Sequence, residues 1–265
     1  MNYWILLIAS IFFYAIPSIA IIFNLSKPNT QTIKKLIGVG LLFHTFFIYI
    51  ATFSNGFNLN FANTFLIITL FITLISLIIN HKATFKGLEL FALIPAIFIL
   101  VCHPIFQQDQ YVINYLSVNA SIHIMMAIIS YSLLAFGAIL SFFLLCFEEN
   151  LHPPRLTSLI LKGNLSLLSM ESILFKFYWL GFILLSLTLV SGFLFSNYIF
   201  GNTIIWNHKL VFSLFAWLSY ATLLFGRIAY GWRGKKAIVI SLVAFAFLFL
   251  AYLGTKFVLE VLLKR

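Results

Sequence analysis

The sequence predicts an all-α, polytopic integral membrane protein: eight transmembrane helices in one bundle, with the N and C termini outside. Three observations predict this. Of the 265 residues, 63% are hydrophobic and only 8% charged, and the mean hydropathy is +1.09. A soluble domain averages about a quarter charged residues and could not hold so much apolar surface away from water. The apolar residues are also grouped into runs of the length that crosses roughly 30 Å of hydrocarbon, about 20 residues per helix. Finally, the basic residues sit in the spacers, mostly in alternate ones.

The first run, 3–25, has no basic leading segment and no small-x-small cleavage site, so it reads as a retained helix and not a signal peptide. Runs at 36–53, 63–80 and 88–104 follow, with His44 near the middle of the second. The fifth, 120–147, gives way to His152-Pro153-Pro154, where proline removes a donor and breaks the helix. The Leu/Ser-rich stretch that follows, with Arg155, Lys162 and Lys176, suits an amphipathic helix lying along the cytoplasmic interface. Runs at 177–196, 210–230 and 237–259 complete the set, and residues 1–265 read as a single transmembrane domain. Helices, not open strands, are expected because lipid offers no partners for backbone polar groups.

Orientation follows from the basic residues. One alternating set of connections holds Lys27, Lys34, Lys35, Lys82, Lys86, Arg155, Lys162, Lys176, Arg227, Arg233, Lys235 and Lys236, twelve of the 16 Lys and Arg. The other set holds Lys209, Lys256, Lys264 and Arg265, and its connections 54–62 and 105–119 carry none. The positive-inside rule makes the first set cytoplasmic. Trp4, Trp179, Trp206 and Trp232 fall near span ends, as interfacial anchors do, whereas Trp217 lies inside a span.

The net charge of +10 is thereby explained by topology, and no basic, aromatic-interleaved face suggests nucleic acid. Cys102 and Cys146 form no CxxC and read as small apolar core thiols. Glu89, Arg227 and Lys256 lie near helix ends, so no carboxylate sits at the midplane for ion coupling, and no catalytic pair or triad is legible. The bilayer is the first partner the chain requires.

The histidines carry more. His81 and His152 lie in cytoplasmic connections. His44 is inside the second span, while His103, His123 and His208 fall near the outer surface at the ends of the fourth, fifth and seventh helices. Imidazoles converging at a bundle mouth are what a haem or metal site needs, since neutral imidazole is the usual axial ligand of haem iron. The alternative is that each is an ordinary hydrogen-bonded interfacial histidine.

Four passages resemble a known family. They are Ile122-His123 with Ser130-Tyr131-Ser132-Leu133-Leu134; Met170-Glu171-Ser172 leading to Gly181-Phe182 and Leu187-Thr188-Leu189-Val190-Ser191-Gly192; Trp206-Asn207-His208-Lys209 with Trp217 and Tyr220; and Gly231-Trp232-Arg233-Gly234-Lys235-Lys236 with Tyr252-Leu253-Gly254. In this order and spacing they resemble the cytochrome c assembly family, the CcsA and CcmC superfamily, in its short eight-helix HemX and YpjD type of branch. The resemblance covers the chain from about 120 onward, and the first four helices match chiefly through His44. It implies a haem-handling protein of the bacterial inner membrane, with other cytochrome-maturation proteins as partners. It also implies an outer tryptophan motif that cradles haem while outer histidines ligate iron. Carried over by position, His123 is similar to the first outer histidine, Trp206 to the tryptophan of the motif and Lys209 to its lysine.

The departures are as specific. Asn207, His208, Leu210 and Phe212 stand where the family has Asp, Pro, Glu and Trp, and Phe225 stands where an intramembrane histidine is expected. The second outer histidine has no counterpart after the last helix. The resulting expectation is haem binding or regulation of haem supply at the outer face, without thioether-forming catalysis. The candidate haem residues are His123, His208, His44 and Trp206, with His123 and His208 as the iron ligands. The alternatives are a non-catalytic scaffold of the same fold acting through protein partners and a small-molecule permease.

Overall fold

The structure, a computed structural model, describes residues 3–23, 30–54, 57–82, 87–106, 112–113, 118–149, 167–194 and 208–254. Its helices are α1 (Tyr3–Ile22), α2 (Thr30–Phe53), α3 (Phe61–Lys82), α4 (Leu90–Phe106), α5 (Val118–Glu149), α6 (Leu167–Leu194), α7 (His208–Tyr230) and α8 (Gly234–Phe249), which continues as a π-helical turn, Leu250–Gly254. Seven are long and apolar enough to cross a bilayer. The remaining one, α4, has 17 residues and so rises about 25 Å, near the lower limit for a span. The protein is an all-α polytopic membrane protein, as its sequence predicts.

The helices group into two compact units, α1–α4 and α5–α8. In the first, α1 packs on α2 and α4, and α3 on α2 and α4. Two short strands, β1 (Phe57–Asn58) and β2 (Val112–Ile113), pair antiparallel. They join the two connections that carry no basic residue, so both lie at one end of this unit. In the second unit, α5 packs on α6 and α8, and α7 on α6 and α8.

Each unit turns large apolar side chains outward, among them Phe12, Phe46 and Phe98 in the first and Phe142, Leu187 and Phe225 in the second. On a soluble protein such surface would be an anomaly; here it faces lipid. Polar side chains go inward, and most hydroxyls donate to the carbonyl one turn back, as Ser10 does to Leu6 and Thr73 to Thr69. Close approach uses small residues. A Cβ on Gly137 would stand 2.6 Å from the Tyr178 ring, so glycine on α5 is what admits this fully buried tyrosine of α6.

Two readings need correction. Helix α6 begins at Leu167, ten residues before the expected span, so Lys176 lies on the helix and not in a connection. Its side chain is exposed, and a long lysine stem reaches the interface from inside a helix end. The interfacial helix expected before it lies outside the described residues. Cys146 is exposed and Cys102 only partly buried, so Cys146 is not a core thiol; an apolar thiol is tolerated as well by lipid as by a core.

Candidate functional site

The sequence-predicted histidines divide between the units. In the first, His44 is fully buried on α2, with Nδ1 3.2 Å from the Tyr14 hydroxyl of α1 and, among the described residues, no hydrogen-bond partner at Nε2. His103, near the end of α4, is also buried. Its Nε2 lies 2.8 Å from Asn63 Oδ1, and its Nδ1 lies 2.9 Å from the Tyr3 hydroxyl. Asn63 donates from Nδ2 to the carbonyls of Ala51 and Asn58, which fixes its Oδ1 as an acceptor. His103 Nε2 therefore donates, and its Nδ1 accepts from Tyr3. Both nitrogens are used, and His103 ties α1, α3 and α4 together.

The second unit holds His123 and His208. His123, near the start of α5, is half-buried. Its Nδ1 lies 2.9 Å from Ser191 Oγ near the end of α6. Nε2 has no hydrogen-bond partner among the described residues. The Lys209 ammonium lies within electrostatic reach of the ring and is held 4.8 Å above the Tyr252 ring. His208, the first residue of α7, is exposed, and Trp206 lies outside the described residues. Among the described residues, no three His, Cys, Asp or Glu side chains gather closely enough to hold a metal ion.

In the sequence, Ser191 belongs to a passage of the family resemblance but carries no role of its own, and nothing marks Tyr3 or Asn63. A small polar residue next to a glycine in an otherwise apolar helix was the available signal for Ser191. The partners of His103 left none.

The passages used for the resemblance meet in space throughout the second unit. Ser130 donates to the Gly181 carbonyl at 2.9 Å, and Trp217 Nε1 donates to Ser186 Oγ at 2.8 Å. Arg227 pairs with Glu171 at 2.6 Å, donates to the Trp232 carbonyl at 3.1 Å and lies over the Phe175 ring. These contacts clamp α5 to α6, and α7 to α6 and to the turn before α8.

Comparison with known proteins agrees. The chain is 30% identical over 139 residues to the cytochrome c biogenesis protein CcsA of Chlamydomonas reinhardtii, covering 52% of this chain and 38% of that one. It is 27% identical over 141 residues to the inner membrane protein YpjD of Escherichia coli K12, covering 53% of this chain and 52% of that one. A CcsA of Trichodesmium erythraeum is 30% identical over 85 residues, 32% of this chain and 24% of that one. The matches thus span about half or less of these relatives. No solved structure matches. The model of the cytochrome c assembly protein family matches residues 4–263, and the chain belongs to that family.

Proposed function

We propose that the protein handles haem in the bacterial inner membrane, binding it or regulating its supply at the outer face, with His123 as an iron ligand. The observation that carries this reading is His123 itself: half-buried, braced through Nδ1, and with no partner at Nε2 among the described residues. A neutral imidazole held by its far nitrogen is the donor chemistry that haem iron takes axially, so the residues fit the group. Haem, when bound, would supply an iron centre that accepts imidazole nitrogen as a ligand. The chain's own part is to hold the ring through Ser191, to offer the Lys209 ammonium as counter-charge to a ligand carboxylate, and to limit water through the apolar helices around them.

His208 and Trp206, in the segment that opens α7, are the proposed companions of His123, with His208 as the second iron ligand. His44, in the first unit, is the remaining candidate. The basic-residue asymmetry supports a cytoplasmic assignment for the Arg227, Arg233, Lys235 and Lys236 end, and hence both termini outside. The continuous family match supports treating residues 1–265 as one domain. Partners beyond the bilayer are proposed to be other membrane or cytochrome-maturation proteins. No reaction step is assigned, because Asn207, Leu210 and Phe225 replace the acidic and histidine positions of the family. The same replacements favour a second reading, a non-catalytic scaffold acting through protein partners.

A visible spectrum separates the two. Protein purified in detergent from haem-sufficient cells should show a Soret band that His123→Ala loses. Absence of the band from both proteins, even after added haem, would leave the scaffold.

A further inference from the structure

We infer that Ser191 is a positioning residue that sets the tautomer of His123, keeping the proton on Nδ1 and presenting Nε2 as the lone-pair donor. This rests on the reading of His123 as a ligand but is measured separately from it.

The inference follows from counting protons. Ser191 Oγ lies 2.9 Å from His123 Nδ1 and 3.0 Å from the Thr188 carbonyl oxygen. A serine hydroxyl has one proton to give and two lone pairs to receive. A carbonyl oxygen only accepts, so the Thr188 contact is attractive only if the Ser191 proton points there. The remaining contact must then be supplied by a proton on His123 Nδ1. The reverse arrangement, with Ser191 donating to Nδ1, would leave two oxygens 3.0 Å apart with no proton between them. One direction makes both contacts hydrogen bonds: Nδ1–H to Ser191 Oγ, and Ser191 O–H to the Thr188 carbonyl. The Thr188 hydroxyl does not compete, because it donates to the Leu184 carbonyl at 2.8 Å.

Ser191 and Thr188 are both buried, so water does not readily replace either bond, and an unmet polar group there is costly. The neighbour of Ser191 completes the device. A Cβ on Gly192 would stand 3.2 Å from His123 Cε1, tighter than a side chain sits without displacing its neighbour. Gly192 thus lets the imidazole lie against the α6 backbone, and Ser191 grips it there. His103 shows that this tautomer is not imposed by the fold in general, since it carries its proton on Nε2.

The test uses full-length protein in detergent, haem-free, with ¹⁵N-labelled histidine, and assigns the His123 signals by their loss in His123→Ala. The expected wild-type spectrum has a protonated Nδ1 and an unprotonated Nε2. Ser191→Ala should mix the tautomers, and Ser191→Thr, which restores a hydroxyl, should recover the wild-type pattern. Ferric haem titrated into the same proteins should bind Ser191→Ala about tenfold more weakly, as loss of an outer-shell partner typically causes, with Ser191→Thr near wild type. Wild-type tautomers in a folded Ser191→Ala protein would overturn the inference, even if haem still bound through His123. A tautomer change in Ser191→Ala, with no haem bound by any form, would uphold the positioning role while removing the haem reading.

Discussion

The two units contain the same raw material, a histidine hydrogen-bonded across helices near one end, and use it in opposite ways. His103 gives one nitrogen to Asn63 and takes a proton from Tyr3 with the other, so the ring is wholly occupied in joining three helices. His123 gives one nitrogen to Ser191, and among the described residues the other has no hydrogen-bond partner. In sequence both are lone histidines near the ends of apolar runs. What separates a histidine used wholly as a fastener from one suited to the proposed ligand role is the fate of the second nitrogen, which depends on residues far along the chain.

Substitutions can break that contrast. The largest effect expected is on haem retention: His123→Ala should abolish the Soret band, whereas His103→Phe should keep it. His103→Phe should act on stability instead. It strands the Asn63 amide oxygen, worth about 1–3 kcal/mol in a soluble core and closer to 1 kcal/mol in a membrane bundle. Thermal unfolding in detergent reads this loss directly. A folded His103→Phe protein without the band would dissolve the distinction between the units.

Arg227→Ala comes next, at about 1 kcal/mol, because the Arg227 and Glu171 side chains are 22% and 15% exposed and the pair is only partly shielded from solvent. A double-mutant cycle with Glu171→Gln would measure the coupling, and haem retention should not change. Gly192→Ala should weaken haem binding a few-fold by pushing on His123 Cε1, with little effect on the thermal midpoint. The smallest change is expected for His208→Ala, in which the Soret band moves without disappearing. An unmoved band would remove His208 as a ligand.

The helices were legible because a bilayer imposes a length and a hydropathy that each run displays by itself. The start of α6 was less legible, since Lys176 interrupts the apolar run while its stem allows the helix to continue beneath it. The proposed site was less legible. His123 stood out through its place near the start of a helix and through the family resemblance, but its partner Ser191 is 68 positions away, and no local period links residues on different helices. The same distance hid Tyr3, 100 positions from His103. The resemblance passages fared better than their chemistry alone warrants. Glu171, Arg227 and Trp232, like Ser130 and Gly181, are contacts that hold the second unit together. A family pattern therefore preserves packing, and it can persist where Asp and His of the motif have gone.

The hydroxyl behind His123 has one more consequence. A carboxylate in that place would draw the Nδ1 proton strongly and make Nε2 a firmer donor; serine, uncharged and itself tied to a carbonyl, draws it only weakly. In a haem-bound form such an imidazole would be a less basic donor than one backed by a carboxylate, and the iron's reduction potential would sit correspondingly higher.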